Sequence, residues 1–290
     1  MTSDSPSTAI PFPRSAIAFA EMDARIIAAI DAARTGADRA IVVGLCGAQG
    51  SGKSTTARRL ADALSARGLK VALLSLDDFY LTQVERRRLA ERVHPLFVTR
   101  GVPGTHDVSL MQETFDRLTR QDASRVALPR FDKTIDDRAS HHVWEIVDTP
   151  IDIILFEGWC VGARAQPEQD LIDPVNDLER LEDASGIWRR YVNTALDDAY
   201  GRLFSRIDIQ FLLRAQGFEQ VLHWRREQEN RLERVPGHSL PPLSDAQLQR
   251  FIDHYERLTR WIIADQPADI VIDIDATRRP LLWRPTRAFS

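Results

Sequence analysis

Eight residues near the start of the sequence combine glycines, a lysine and a hydroxyl at the spacing of a phosphate-binding loop. The segment GAQGSGKS runs from Gly47 to Ser54 and matches the Walker A pattern G-x-x-x-x-G-K-[ST]. Glycines let backbone N–H groups converge on a phosphate, and the following helix N-terminus adds positive charge. We expect Lys53 to reach the β- and γ-phosphates of a nucleoside triphosphate and Ser54 to ligate Mg²⁺. The predicted nucleotide-binding residues are Gly47, Ala48, Gln49, Gly50, Ser51, Gly52, Lys53, Ser54 and Thr55.

Two adjacent aspartates follow a second apolar run, at a position where open α/β sheets place ligand-contacting groups. Asp77 and Asp78 lie in LSLDDFYL, at the end of the run KVALLSL (70–76). A carboxylate at this point can accept the proton of a hydroxyl that attacks the γ-phosphate. An isolated aspartate pair also suits a helix cap or a turn. The phosphate loop upstream favours the catalytic interpretation.

A third carboxylate, Glu157, ends the apolar run IDIILFE (151–157) and precedes a glycine that allows close approach of a ligand. Such a group can hold the hydration shell of Mg²⁺. A solvated glutamate at the end of a strand is the alternative interpretation.

Lysine is rare in this chain, since it supplies three of the 38 basic residues: Lys53, Lys70 and Lys133. Lys53 lies in the phosphate loop, and Lys133 lies in a second dense motif, LPRFDKTIDDR. A compact ammonium suits sites where a planar guanidinium does not fit, which makes Lys133 a candidate ligand-binding residue. Chance is the competing explanation, because the number of lysines is small.

Apolar periodicity predicts an α/β fold that positions these groups. Residues 15–34 carry apolar side chains three and four apart, which is typical of an amphipathic helix, and a second helix is expected to begin near Lys53. Continuous apolar strands that alternate with helices indicate a mostly parallel sheet of about five strands, flanked by helices on both faces. The predicted strands cover residues 40–46, 70–76, 151–157, 206–213 and 268–274.

Two less regular regions are interpreted as additions to this sheet. Residues 94–150 are rich in Pro, Gly, His and charge, and we interpret them as insertions that shape a substrate pocket, with a helix near 108–119. Residues 214–245 contain a charged helix, which carries Arg225 and Arg226, and a loop. The i, i+4 ion pairs of this helix would suit an ordinary exposed helix.

Bulk composition limits the classes of function. The 290 residues are 43% hydrophobic and 28% charged, and no apolar run approaches the ~20 residues of a membrane span. We expect a flexible leader at 1–14, a single domain at 15–290 and a cytoplasmic location. A net charge of −4 argues against nucleic acid as a partner, and we expect no membrane partner. Oligomeric state is not readable from the sequence.

The motifs in their order along the chain resemble a known family. GAQGSGKS, LDDFY, RGVPGTHD, LPRFDKTIDDR and ILFEGW are together similar to the plant-type D-glycerate 3-kinases, within the P-loop kinases that include uridine and pantothenate kinases. The resemblance spans residues 40 to about 230. It implies that Asp77 is the general base and that Asp78 supports the site or belongs to the Mg²⁺ shell. It also implies that the run containing Arg100, His106 and Asp107 lines the acceptor pocket. Related kinases carry a lid after the fourth strand, so the resemblance implies a small lid at 214–245, whose Arg225 and Arg226 would neutralise charge on the phosphoryl group during transfer.

The resemblance implies a reaction, transfer of the ATP γ-phosphoryl group to the primary hydroxyl of the small molecule D-glycerate. Because glycerate carries a carboxylate, its pocket needs a cation, and Arg100, Lys133 and Arg138 are the candidates. Three alternatives stay open: a kinase for pantothenate, a kinase for a nucleoside, and a regulatory nucleotide-binding protein without catalysis. A GTPase is disfavoured because the base-reading tetrapeptide N-K-x-D does not occur in the sequence.

Overall fold

The protein is described here by a computed structural model that covers residues 16–232 and 244–286, with side chains omitted for 229–232. The predicted leader at 1–14 lies outside the described residues. So does most of the loop that was predicted to complete the lid after residue 232.

Nine α-helices and ten strands occur within the described ranges. The helices are α1 (Phe19–Arg34), α2 (Lys53–Ala66), α3 (Gln83–Arg92), α4 (Val108–Leu118), α5 (Asp177–Glu182), α6 (Ile187–Ala195), α7 (Gly201–Phe204), α8 (Phe218–Leu232) and α9 (Asp245–Asp265). The strands are β1 (Ile41–Gly47), β2 (Val71–Ser75), β3 (Arg125–Leu128), β4 (Phe131–Asp132), β5 (Asp137–Arg138), β6 (Glu145–Asp148), β7 (Ile153–Gly158), β8 (Ile209–Arg214), β9 (Ile270–Ile274) and β10 (Pro280–Pro285).

Six of these strands form the central sheet, in the order β10-β9-β8-β1-β7-β2. The pairs β8–β9, β1–β8, β1–β7 and β2–β7 are parallel, and β10 is an antiparallel edge strand on β9. The predicted parallel sheet of about five strands, flanked by helices, is confirmed. The antiparallel sixth strand is an addition that was not expected.

Strand β1 is buried along its whole length because both faces of the sheet are covered. Its alternate residues separate into two cores: Val42 and Cys46 face one layer, whereas Val43 and Leu45 face the other. Helices α1, α2 and α8 pack in the layer of Val43, and α4, α6 and α7 pack in the layer of Val42. Both cysteines are buried free thiols, as expected from their places beside buried strands.

The region at 94–150 combines helix α4 with two small antiparallel ladders, β3–β6 and β4–β5. The predicted helix near 108–119 is confirmed as α4. The β4–β5 hairpin contacts the single turn of 3-10 helix at Leu76–Phe79 that follows β2. This contact brings the LPRFDKTIDDR motif to the same end of the sheet as Asp77. Within the described ranges, no helix combines the length and apolarity that crossing a bilayer requires.

Candidate active site

The phosphate loop connects the carboxyl end of β1 to the first residue of α2, which is Lys53. Gly50 and Gly52 have φ of 79° and 89°, a left-handed conformation that favours glycine. The amide of Ser51 donates to the carbonyl of Ala48 at 3.1 Å, which closes the loop into a turn. A glycine loop that leads into a helix N-terminus is suited to binding phosphates. The predicted helix start near Lys53 is confirmed.

Ser54 and Glu157 meet beside this loop because β7 is the direct neighbour of β1 in the sheet. The Ser54 hydroxyl donates to Glu157 Oε1 at 2.9 Å. Glu157 Oε2 is buried and has no hydrogen-bond partner among the described residues. A hydroxyl and an unsatisfied carboxylate oxygen are the hard oxygen donors that Mg²⁺ prefers, so these two residues fit a Mg²⁺ site.

Asp77 lies immediately after β2, on the other side of β7 from the phosphate loop. Its Oδ1 accepts a hydrogen bond from the Tyr80 hydroxyl at 2.9 Å, and its Oδ2 accepts one from Lys133 Nζ at 2.6 Å. Burial by itself raises the pKa of Asp77, but the charges of Lys133 and Lys53 outweigh it and hold the pKa well below its ordinary value. Asp77 is therefore an ionised carboxylate within the field of the phosphate-loop lysine.

Asp78 turns away from the phosphate loop and binds the β4–β5 hairpin. Its Oδ1 accepts from the amide of Phe131 at 3.1 Å, and Oδ2 accepts from Arg130 at 3.3 Å. Burial raises the pKa of this carboxyl. Of the two roles left open for Asp78, these contacts favour support of the hairpin over membership of the Mg²⁺ shell.

Tyr80, His106 and Arg100 lie together next to Asp77. Tyr80 stacks on His106 with ring centroids 4.5 Å apart, and the Arg100 guanidinium lies 6.0 Å from the Tyr80 ring centroid. Burial lowers the pKa of His106 to about 3, although the Asp77 charge acts in the opposite direction, so the imidazole is neutral. Its Nδ1 lies 2.7 Å from the Tyr200 hydroxyl, and its buried Nε2 has no partner among the described residues.

The three predicted cations differ in their contacts. Arg138 donates to Asp107 at 2.8 Å, and Asp107 in turn caps helix α4 by accepting from the Leu110 amide at 2.9 Å. Arg100 bonds Asp136 through Nη1, and Lys133 bonds Asp77. Arg138 and Asp107 therefore form a structural pair. Lys133 contacts Asp77 directly, whereas Arg100 lies over the Tyr80 ring.

Several residues that shape this site were not identified from the sequence. Tyr80 binds the base directly, and it stands in the LDDFY motif three residues after Asp77. Arg86, which is buried, donates to Asp136 at 2.5 Å and so fixes the partner of Arg100. Tyr80 could have been found from its place in the motif, whereas no sequence signal marks the pairing of Arg86 across 50 residues.

The lid arginines lie on α8 as predicted, and their contacts differ. The Arg225 guanidinium lies over the Phe251 ring at 5.1 Å from its centroid, and Nη1 donates to Gln228 at 3.2 Å. Arg226 is exposed, and its Nε lies 3.6 Å from a carboxylate oxygen of Asp245. Neither contact tests the lid role, which stays a prediction.

Comparison with known proteins agrees with this geometry. A family model described as "Methylmalonyl Co-A mutase-associated GTPase MeaB" matches residues 14–80, the part of the chain that carries the phosphate loop. The chain is 33% identical over 226 residues to "Uncharacterized kinase mug58" of Schizosaccharomyces pombe, and the match covers 75% of this chain and 79% of that one. The phosphate loop, the strand order of the sheet and the similarity to this kinase together define a P-loop kinase.

Two further proteins are similar to this chain. "D-glycerate 3-kinase, chloroplastic" of Arabidopsis thaliana is 29% identical over 258 residues, which is 83% of this chain and 54% of the plant protein, so the chain spans about half of that relative. A solved structure of D-glycerate 3-kinase from Cryptococcus neoformans has the same fold, with a TM-score of 0.75, 24% identity and coverage of 92% and 98% of the two chains. The chain belongs to the family of P-loop kinases that contains the mug58 kinase, it is similar to the plant-type D-glycerate 3-kinases, and it is an ATP-dependent kinase.

Proposed function

We propose that the protein transfers the γ-phosphoryl group of ATP to the primary hydroxyl of D-glycerate and so produces 3-phosphoglycerate. The observation that carries the proposal is the convergence of Lys53, Glu157 and Asp77 at the carboxyl ends of three adjacent strands. Open α/β sheets bind their ligands at this edge. The name of the plant relative supports the choice of acceptor.

Each residue of the site has a separate role in phosphoryl transfer. Lys53 and the loop amides hold the phosphates, and Asp77 orients the acceptor hydroxyl and takes its proton. Ser54 and Glu157 would hold Mg²⁺, which would neutralise charge on the phosphate oxygens. Arg225 and Arg226 on α8 would stabilise the charge that develops during transfer.

Arg100 is the cation that we assign to the carboxylate of D-glycerate. Arg138 is bonded to Asp107 at the cap of α4, and Lys133 bonds the carboxylate at which the reacting hydroxyl must bind. Arg100 also bonds a carboxylate, Asp136, but Arg86 holds that carboxylate as well, so Asp136 keeps a cationic partner if Arg100 binds an acceptor. The Arg100 guanidinium lies 6.0 Å from the centroid of the Tyr80 ring, whose hydroxyl bonds Asp77, and its side chain is about one quarter exposed. A carboxylate held there directs the distant primary carbon toward Asp77. His106, Asp107, Lys133 and Arg138 complete the pocket around it.

An acceptor panel tests this function. ADP release with Mg·ATP should be stimulated by D-glycerate well above the level with pantothenate, uridine or glycerol, because glycerol lacks the carboxylate that the site binds. Lys53→Ala should abolish the release and thereby assign it to this site. Arg100→Met should raise the KM for D-glycerate about tenfold or more and leave the KM for ATP unchanged. The exposed Arg87→Met on α3 is the matched control.

Turnover of pantothenate or a nucleoside without turnover of D-glycerate would contradict the assigned acceptor. Binding of Mg·ATP without release of ADP for any member of the panel would instead favour a regulatory protein.

A further inference from the structure

The phosphate loop has a neighbour that no sequence motif marks, the turn between β9 and β10. Arg278 of this turn donates through Nε to the carbonyl of Gly50 at 2.6 Å and through Nη2 to Glu227 of α8 at 2.7 Å. Its guanidinium also lies 5.5 Å from the centroid of the Trp224 ring on the same helix. One planar side chain therefore joins the phosphate loop to the helix that carries the lid arginines.

The three segments are packed tightly where they meet. A Cβ at Gly50 would lie 2.5 Å from Trp224 Cβ, so the loop and α8 are already in backbone-to-side-chain contact. Trp224 is fully buried and donates through Nε1 to the carbonyl of Ala276 at 2.7 Å. The β9–β10 turn thus holds α8 through Ala276 and the loop through Arg278.

The bond to Gly50 constrains the amides of the loop. The peptide unit is planar, so the carbonyl of Gly50 and the amide of Ser51 point in opposite directions. With the carbonyl held by Arg278, that amide is aimed back at the carbonyl of Ala48, which it meets at 3.1 Å. Arg278 therefore fixes, from outside, the turn that shapes the phosphate cradle.

The turn holds the backbone of Arg278 in an unfavourable conformation. Asp275 accepts from the amides of Thr277 and Arg279 at 2.8 and 2.9 Å, and this leaves Arg278 with φ of 69°. A non-glycine residue in this region is strained, and glycine would occupy it at lower cost. Strain that persists in a tightly determined turn is consistent with a side chain that serves function more than stability.

We propose that Arg278 is a positioning residue that pins the phosphate loop to helix α8 and so preorganises the loop for Mg·ATP. The proposal rests on the ATP-dependent function, although it does not depend on the identity of the acceptor. Two features of Arg278 matter for it: the fork that bonds Gly50 and Glu227 at once, and the position against Trp224.

Calorimetric titration with Mg·ATP alone tests the proposal. Arg278→Gly removes the fork but suits the backbone, so the Kd for Mg·ATP should rise about tenfold while Tm stays the same or increases. Arg278→Lys keeps the charge but cannot bond Gly50 and Glu227 at once, so its Kd for Mg·ATP should rise by a similar factor. Arg279→Gln, which removes the same charge from the same turn, should bind within about twofold of the native protein. The KM for D-glycerate at saturating ATP should not change in any of them.

Three outcomes would overturn this role. Near-native affinity in Arg278→Gly would show that the loop is ordered without the side chain. Near-native affinity in Arg278→Lys would show that charge alone suffices and that the fork is irrelevant. A fall in Tm in Arg278→Gly together with the loss of affinity would make the contact a general structural one. D-glycerate could fail as acceptor without affecting any of these results, because the titration contains no acceptor.

Discussion

At the scale of single residues, the proposed base Asp77 lies between two cations and a phenol. Lys133 and Tyr80 each donate to one of its oxygens, and Lys53 lowers its pKa from across the phosphate site. The sequence predicted the position of Asp77 and named Lys133 as a site residue. It did not predict that the two would pair, because they are 56 positions apart and belong to different motifs.

Asp77→Asn keeps the shape of the side chain but removes the proton acceptor. We expect kcat to fall by roughly 10²–10⁴, the usual range for a general base, with the KM for ATP nearly unchanged. Steady-state kinetics at saturating D-glycerate measures this, and Mg·ATP titration checks that the nucleotide site is intact. Turnover close to that of the native protein would exclude Asp77 as the base.

The pH dependence of catalysis follows from the charges around Asp77. Its pKa is depressed, so the ionised, proton-accepting form persists as pH falls, and kcat/KM should stay level from pH 7 to about 5. Lys133→Met removes the cation that opposes the effect of burial, so the pKa of Asp77 should rise and the acid limb should move to higher pH. Profiles of kcat/KM for D-glycerate measure the shift.

Lys133→Arg is the matched variant for this measurement because it keeps a cation at the same position. The acid limb of its kcat/KM profile should fall at the same pH as in the native protein, even if acceptor binding weakens. Superimposable acid limbs in the Met, Arg and native proteins would show that Lys133 does not control the ionisation of the base.

At the scale of elements, the apolar pattern predicted the strands that are buried on both faces, since such strands are continuous apolar runs. It did not resolve α3, whose residues Gln83–Arg92 include only two that are buried, Arg86 and Leu89, so its apolar stripe is very thin. It also did not resolve β10, because an edge strand with half-buried residues carries a weak signal. Elements with little apolar surface are specified mainly by tertiary contacts, which a single sequence does not show.

The β4–β5 hairpin is the element whose attachment is most open to test, because Asp78 holds it through Phe131 and Arg130. Asp78→Ala should loosen the hairpin that carries Lys133 and raise the KM for D-glycerate about five- to tenfold. The dependence of the rate on Mg²⁺ concentration should not change. A higher Mg²⁺ requirement with an unchanged acceptor KM would place Asp78 in the metal shell instead.

At the scale of the whole molecule, the site is assembled from segments far apart in the chain. Ser54 and Glu157 are separated by 103 positions, and Gly50 and Arg278 by 228. The parallel sheet explains the first pair, because neighbouring strands end at the same edge, and this could be predicted from strand-end motifs. The second pair depends on how an antiparallel turn packs on a helix, and no motif or period in the sequence encodes that contact.

The most direct measurement of the central claim identifies the product. The protein is incubated with D-glycerate and Mg·ATP, and the phosphorylated product is compared by phosphorus NMR with 2- and 3-phosphoglycerate standards. A carboxylate held at Arg100 places the primary hydroxyl at Asp77, so the account predicts 3-phosphoglycerate. The 2-phospho isomer would contradict the orientation of the acceptor, and the absence of any phosphoglycerate beside rapid phosphorylation of pantothenate or a nucleoside would contradict the proposed function itself.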